Sequence, residues 1–154
     1  MGEETLASAT NNQMMAEELN QLIYLNFDAI EAYQMAIERL ENAEYRQYLE
    51  EFKADHARHI DELKELVLWM GNAPAKTADA KRLLTKGKVF LGNLRGDKGI
   101  LQAMKSNEDQ TNSRYEQSLH NLRYSQDMAD VLRQHLDDER RHRGWIERTL
   151  NSLA

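Results

Sequence analysis

The sequence predicts an all-α fold, a bundle of four long helices arranged as two antiparallel hairpins joined by a long crossover. Three observations carry that expectation. The 154 residues are rich in Leu, Ala, Glu, Gln and Arg, with one proline and seven glycines, a composition that favours helix over strand. Apolar residues recur at spacings of three and four over four long stretches, which marks one buried stripe per helix. The stretches fall into two pairs, with short turns inside each pair and about 28 residues between the pairs. Short turns force neighbouring helices to be antiparallel, whereas a long connector lets the second hairpin lie beside the first with its polarity reset.

The same composition excludes several functions. There is no cysteine, so thiolate catalysis, iron–sulfur clusters and cysteine zinc sites are out, in keeping with a reducing compartment. Residues 1–13 are polar and acidic. They do not resemble a signal peptide, and nowhere does the chain approach the ~20 apolar residues of a membrane helix. A soluble cytoplasmic protein without membrane contact is expected. A net charge of −6 argues against general nucleic-acid binding. That charge is uneven: Gly71 to Lys98 carries seven basic and two acidic residues, a basic strap of +5 on a body of −11.

Taken in order, residues 1–13 lack periodicity and read as a mobile tail, and residues 14–154 as the bundle domain. The first helix is expected from near Met14 to Glu41, with Leu19, Leu22, Ile23, Ile30, Tyr33, Ile37 and Leu40 on one side and Asn26 interrupting the seam. The second runs from about Ala43 to Met70, turning Leu49, Phe52, His56, Ile60, Leu63 and Val67 inward with His59 beside them. Gly71 and Pro74 then stop it in the usual order. A short amphipathic helix, roughly Ala78 to Leu91, is expected within the connector. The third long helix spans about Asp97 to Asn121 through Leu101, Met104, Glu108, Thr111, Tyr115 and Leu119. The fourth runs from Ser125 to near Leu153 on a stripe of Met128, Leu132, Ile146 and Leu153. Stepping along that last stripe lands on His135, Glu139 and His142.

The hairpins are also an internal repeat. A shift of 82 places Asn26 on Glu108 and Tyr33 on Tyr115; a shift of 83 places Phe52 on His135, His56 on Glu139 and His59 on His142. Polar seam positions match polar ones, so Asn26, His56, His59, Glu108, Glu139 and His142 are expected in one central layer. Buried carboxylate and imidazole groups left unpaired would cost ~2–7 kcal/mol. The layer is therefore either a metal site or a closed hydrogen-bond network.

At these residues the sequence resembles the ferritin and rubrerythrin superfamily. Its closest likeness is to stand-alone bacterial ferritin-like four-helix-bundle proteins without assigned function. The segments Asn26-Phe-Asp-Ala-Ile-Glu-Ala-Tyr33 and Met104-Lys-Ser-Asn-Glu-Asp-Gln-Thr-Asn112 carry it, and it covers about residues 17–150. The di-iron pattern of that superfamily takes a single Glu from each of two helices and Glu-x-x-His from each of the others. Glu108 and Glu139-Arg-Arg-His142 match it, whereas Asn26 and His56-Ala-Arg-His59 depart from it. Two carboxylates where four are needed argue against a full redox-active pair of irons. They leave a degenerate site in which Glu108, Glu139 and His142, with His56 and His59, hold one divalent ion (iron, manganese or zinc) or none.

Beside the single ion, two further readings of that layer stay open. In the network reading a Glu pairs with a histidinium and Tyr115 donates a hydrogen bond, and the protein is structural or stress-associated rather than an enzyme. The alternative is a rubrerythrin-like di-iron oxidoreductase or iron-handling protein, with Asp28, Glu31 or Asp55 as substitute ligands. Tyr33 and Tyr115 are expected in the core, His135 in packing beside the site, and Arg140, Arg141 and Arg143 in solvent or paired with acids one turn away. Bundles of this size pair, so a homodimer is expected, with Trp69 and Trp145 in an interface or capping the core. The 71–98 strap is a candidate contact for an acidic or anionic partner.

Overall fold

A computed structural model describes residues 2–76 and 96–153, with side chains placed for 10–76 and 96–153. Its elements are α1 (Gly2–Arg39), α2 (Ala43–Trp69), α3 (Asp97–Asn121) and α4 (Gln126–Ser152). No strand occurs among the described residues. The short helix expected over Ala78–Leu91, and most of the basic strap, lie outside them.

The ends of the helices follow local chemistry. Asn42 caps α2 by accepting from the Tyr45 N–H at 3.1 Å, and Ser125 caps α4 by accepting from Met128 at 3.3 Å. Past Trp69 the chain closes in a Schellman turn, with Asn72 donating to the Val67 carbonyl and Gly71 to that of Leu68. Gly71 supplies the φ of +79° that this turn requires. One expectation is corrected. The α1 backbone is helical from Gly2 rather than from near Met14, so helix occupies the stretch read as an aperiodic tail. Glu, Ala and Leu in that stretch favour helix even without an apolar stripe to fix its start.

Cross-helix contacts set the polarity. Asp97 at the head of α3 accepts from the backbone N–H groups of Glu41 and Asn42 at 2.8 and 3.0 Å, while Arg114 near its other end meets Glu18 at 2.9 Å. α3 is thus antiparallel to α1. Arg58 pairs with Asp138 and Asp55 with Arg141, so α2 and α4 are antiparallel as well. Each helix lies against two antiparallel neighbours, one within its hairpin, as the short turns predict, and one across from it, which the cross-helix contacts fix.

The core has two apolar halves. One gathers Ala36, Leu49, Phe52, Ile100, Leu101 and Ile146; the other gathers Leu22, Ile23, Leu63, Val67, Leu132 and Leu136. Between them lies a buried polar layer of Asn26, His56, His59, Glu108, Thr111, Asn112, His135, Glu139 and His142. Leu153 leaves the predicted stripe and is 40% exposed, because it follows the last turn of α4. Trp145 packs among Tyr45, Tyr48 and Phe52, whereas Trp69 is 77% exposed. No helix among the described residues is long and apolar enough to cross a membrane.

Candidate metal centre

All four helices contribute to the layer at mid-height. His56 comes from α2, Glu108 from α3, and Glu139 and His142 from α4, each with no exposed surface. One donor atom from each lies within 4.8 Å of the others. His56 Nε2 is 3.5 Å from Glu108 Oε1 and 3.4 Å from Glu139 Oε2; His142 Nδ1 is 3.4 Å and 3.5 Å from the same two oxygens. An ion bound at ~2.1 Å by four tetrahedral ligands spaces its donors by about 3.4 Å. These four edges match that spacing. His142 Nδ1 is completely buried, makes no well-formed hydrogen bond, and has only those two carboxylate oxygens as ion-pair partners, an arrangement in which a divalent ion can take the place of its proton. Two carboxylates and two imidazoles also balance one divalent charge. The residues present fit a single ion.

His59 is not one of the four. Its Nδ1 is 3.4 Å from Glu139 Oε1 and 3.3 Å from the Asn26 amide oxygen, so it stands beside the group on the Asn26 side. Asp28 and Glu31 stay half-buried on α1, outside it.

Carboxylates behind the histidines close the layer along the seam between α2 and α4. His142 Nε2 meets Asp55 at 2.8 Å, and His59 Nε2 meets Asp138 at 2.8 Å, each pair crossing from one helix to the other. Arg141 joins Asp55 at 2.7 Å and Asp138 at 3.1 Å; Arg58 joins Asp138 at 2.6 Å and Asp55 at 3.5 Å. Four alternating charges form a ring over the histidines. Asp55, expected as a substitute ligand, instead backs a histidine, and Asp138, which the spacing does not single out, does the same for another. The signal was present, since Asp55-His-Ala-Arg-His59 and Asp138-Glu-Arg-Arg-His142 repeat the Asp, Arg and His at a shift of 83. What hid it is the crossing over: each Asp serves the histidine of the other motif, a partner visible only once the helices pack.

Electrostatics follow from these contacts. Burial works against the His142 cation, but Asp55, Glu108 and Glu139 outweigh it and hold its pKa up at about 11. His59 is likewise raised, with Asp138 and Glu139 overcoming its burial. Burial pushes the Asp55 carboxyl up, yet its bonds to His142 and Arg141 pull it down to about 2. Burial would also raise Glu139; His56, His142 and His59 instead hold it well below the usual range. Tyr33 donates to Glu108, so the hydroxyl on that carboxylate comes from Tyr33, a donor the sequence does not single out. Tyr115 instead contacts Asn26 Nδ2 at 2.9 Å and His135 Nδ1 at 3.0 Å.

His135 gives a pH prediction. Burial, together with the neighbouring His59 cation stacked at 4.0 Å, drives its pKa down to about 2. The folded protein keeps it neutral while the unfolded chain protonates near 6.5, so the stability it supports is lost as pH falls from 6.5 toward 2. Metal-free protein is expected to lose ~1.4 kcal/mol per pH unit in that window from this group. Urea titrations from pH 7 to pH 4.5 check it, and His135→Phe should flatten that acid slope.

Comparison with known proteins identifies the family. The profile of the domain of unknown function DUF2383 matches residues 14–121. The chain belongs to the DUF2383 family. That match spans α1 to α3, so Asn26, His56, His59 and Glu108 of this DUF2383 chain fall within it, while Glu139 and His142 lie beyond. Among curated proteins none matches. Two solved structures share the fold. Dps from Thermosynechococcus elongatus superposes with a TM-score of 0.77 at 17% identity over 94% of both chains. The bacterioferritin-related protein of Bacteroides fragilis, described as a dodecameric thioferritin, gives 0.78 at 15% identity over 99% of this chain and 95% of its own. The DUF2383 chain is a ferritin-like bundle.

Proposed function

We propose that this protein is a cytoplasmic ferritin-like bundle that holds one divalent transition-metal ion per chain in a closed, non-catalytic site. The donors are His56, Glu108, Glu139 and His142. The observation that carries this reading is the set of four donor spacings between 3.4 and 3.5 Å around a buried His142 Nδ1 that has no other partner. Mixed nitrogen and oxygen donors suit zinc, iron or manganese. When bound, the ion supplies positive charge between two buried carboxylates. The chain does the rest: Tyr33 and Thr111 orient Glu108, and Asp55 holds His142 with Nδ1 inward. With no exposed surface on any donor, the layer offers no open face to a substrate.

Self-association belongs to the same reading. Leu68 at 61% and Trp69 at 77% exposure form an apolar corner at the end of α2, of the kind that pairs with a second copy.

Elemental analysis after metal stripping and anaerobic reconstitution with iron, manganese or zinc tests the proposal. About one ion per chain is expected. Two irons per chain would favour the rubrerythrin-like oxidoreductase, and no retained metal in a folded protein would leave the layer as a hydrogen-bond network.

A further inference from the structure

The two halves of the chain hold the same tyrosine with its hydroxyl proton turned opposite ways. Tyr33 gives its proton to the Glu108 carboxylate. At the repeat-related position Tyr115 meets an amide instead, because Asn26 stands where the second half has Glu108. Asn26 Nδ2 donates to the Tyr115 hydroxyl at 2.9 Å, so that oxygen is an acceptor and its proton must go elsewhere. It goes to His135 Nδ1 at 3.0 Å. His135 occupies the position of Phe52 in the other half. The extra acceptor occurs only in the half that needs one.

The same bonds fix which way Asn26 faces. Its Nδ2 also donates to the Leu22 carbonyl at 2.8 Å, which uses both amide protons. Only the oxygen is left for the site, and His56 Nδ1 lies 2.8 Å from it. An amide oxygen accepts and cannot donate, so His56 Nδ1 must carry the proton. His56 Nε2 is then the atom that faces Glu108 and Glu139. Asn26 is 1% exposed, and water has little access to substitute for any of these partners.

We propose that Asn26, braced by Tyr115 and His135, is a positioning residue that fixes His56 with Nδ1 protonated and Nε2 turned to the metal, and that this amide sets the capacity of the layer at one ion. The capacity claim rests on the single-ion reading above. On the Asn26 side, His59 Nδ1 and Glu139 Oε1 face each other at 3.4 Å, but position 26 adds no charge to hold a second cation there. An apparently failed ligand is thus a specific one for the orientation of another ligand.

Long-range proton–nitrogen correlation spectra of protein labelled with ¹⁵N-histidine test this without any substitution. In metal-free protein His56 Nδ1 is expected to carry a proton; a bare Nδ1 would overturn the proposal. After loading with zinc, the His56 Nε2 resonance should shift as the coordinated nitrogen, and coordination through Nδ1 would equally overturn it. Asn26→Leu removes the acceptor, and zinc affinity should fall ~10–100-fold with loss of the single His56 tautomer. Asn26→Asp, which still accepts from Nδ1, should keep the tautomer. Unchanged tautomer and affinity in Asn26→Leu would refute the role. Should wild-type protein take up no zinc, the single-ion reading fails, while the metal-free spectrum still decides what Asn26 does.

Discussion

Replacing Glu139 with glutamine is expected to abolish stoichiometric metal uptake and to destabilise the metal-free protein as well. Glu139 is the hub of the layer: its oxygens lie 3.4 Å from His56, 3.4 Å from His59 and 3.5 Å from His142. Those imidazoles keep the carboxylate ionised against its burial. Glutamine keeps the shape and removes the charge, leaving raised histidines such as His142 facing a neutral amide. Removing a hydrogen-bond partner of a metal ligand already weakens binding ~10–100-fold, so loss of a donor should exceed about 100-fold. Breaking a buried ion pair by removing one partner costs ~3–5 kcal/mol. At about 2–4 °C per kcal/mol for a domain of this size, calorimetry of the metal-free variant should show a clear fall in Tm. Isothermal titration with zinc supplies the other half of the test, and wild-type affinity in Glu139→Gln would remove Glu139 from the donor set.

The second large effect separates the two aspartates of the charge ring. Asp55 and Asp138 are related by the repeat, have similar surroundings and each bind a histidine Nε2 at 2.8 Å. They should nevertheless differ in consequence, because Asp55 holds His142, one of the four donors, whereas Asp138 holds His59, which stands outside them. Asp55→Asn is expected to weaken metal binding ~10–100-fold, in the range found when the carboxylate behind a ligating histidine is removed. Asp138→Asn should leave affinity within a few-fold of wild type. Equal large losses would make His59 a ligand too and would revive the two-ion reading. Thermal melts of both metal-free variants provide the control, since both break the same ring of charges and should lose similar stability.

The repeat explains why much of this was legible in one sequence. Superposing the halves put Asn26 on Glu108 and His56-x-x-His59 on Glu139-x-x-His142, and all six reach the buried layer. Apolar periodicity assigned α2, α3 and α4 to within a residue or two, because capping residues and Gly71 mark their ends. The start of α1 was less legible, since its first turns carry helix-favouring residues but no buried stripe. Arg140 and Arg143 pair with Asp137 and Glu147 close by on α4, and also with Glu116 and Asp109 on α3. Only the first kind of partner could be read from spacing.

By itself the sequence determined the bundle, its helix order, and which ionisable residues must leave water. Periodicity at 3.6 residues and the length of the connector dictate these things locally. Only the tertiary structure decided how the buried groups divide: His56 with the donors and His59 beside them, Tyr33 as the hydroxyl donor to Glu108, and each aspartate on the opposite helix's histidine. A repeat shows which positions are equivalent, but hydrogen bonds a few ångströms long depend on where helices cross. The exchange of one carboxylate for one amide at position 26 was enough to give equivalent positions different partners.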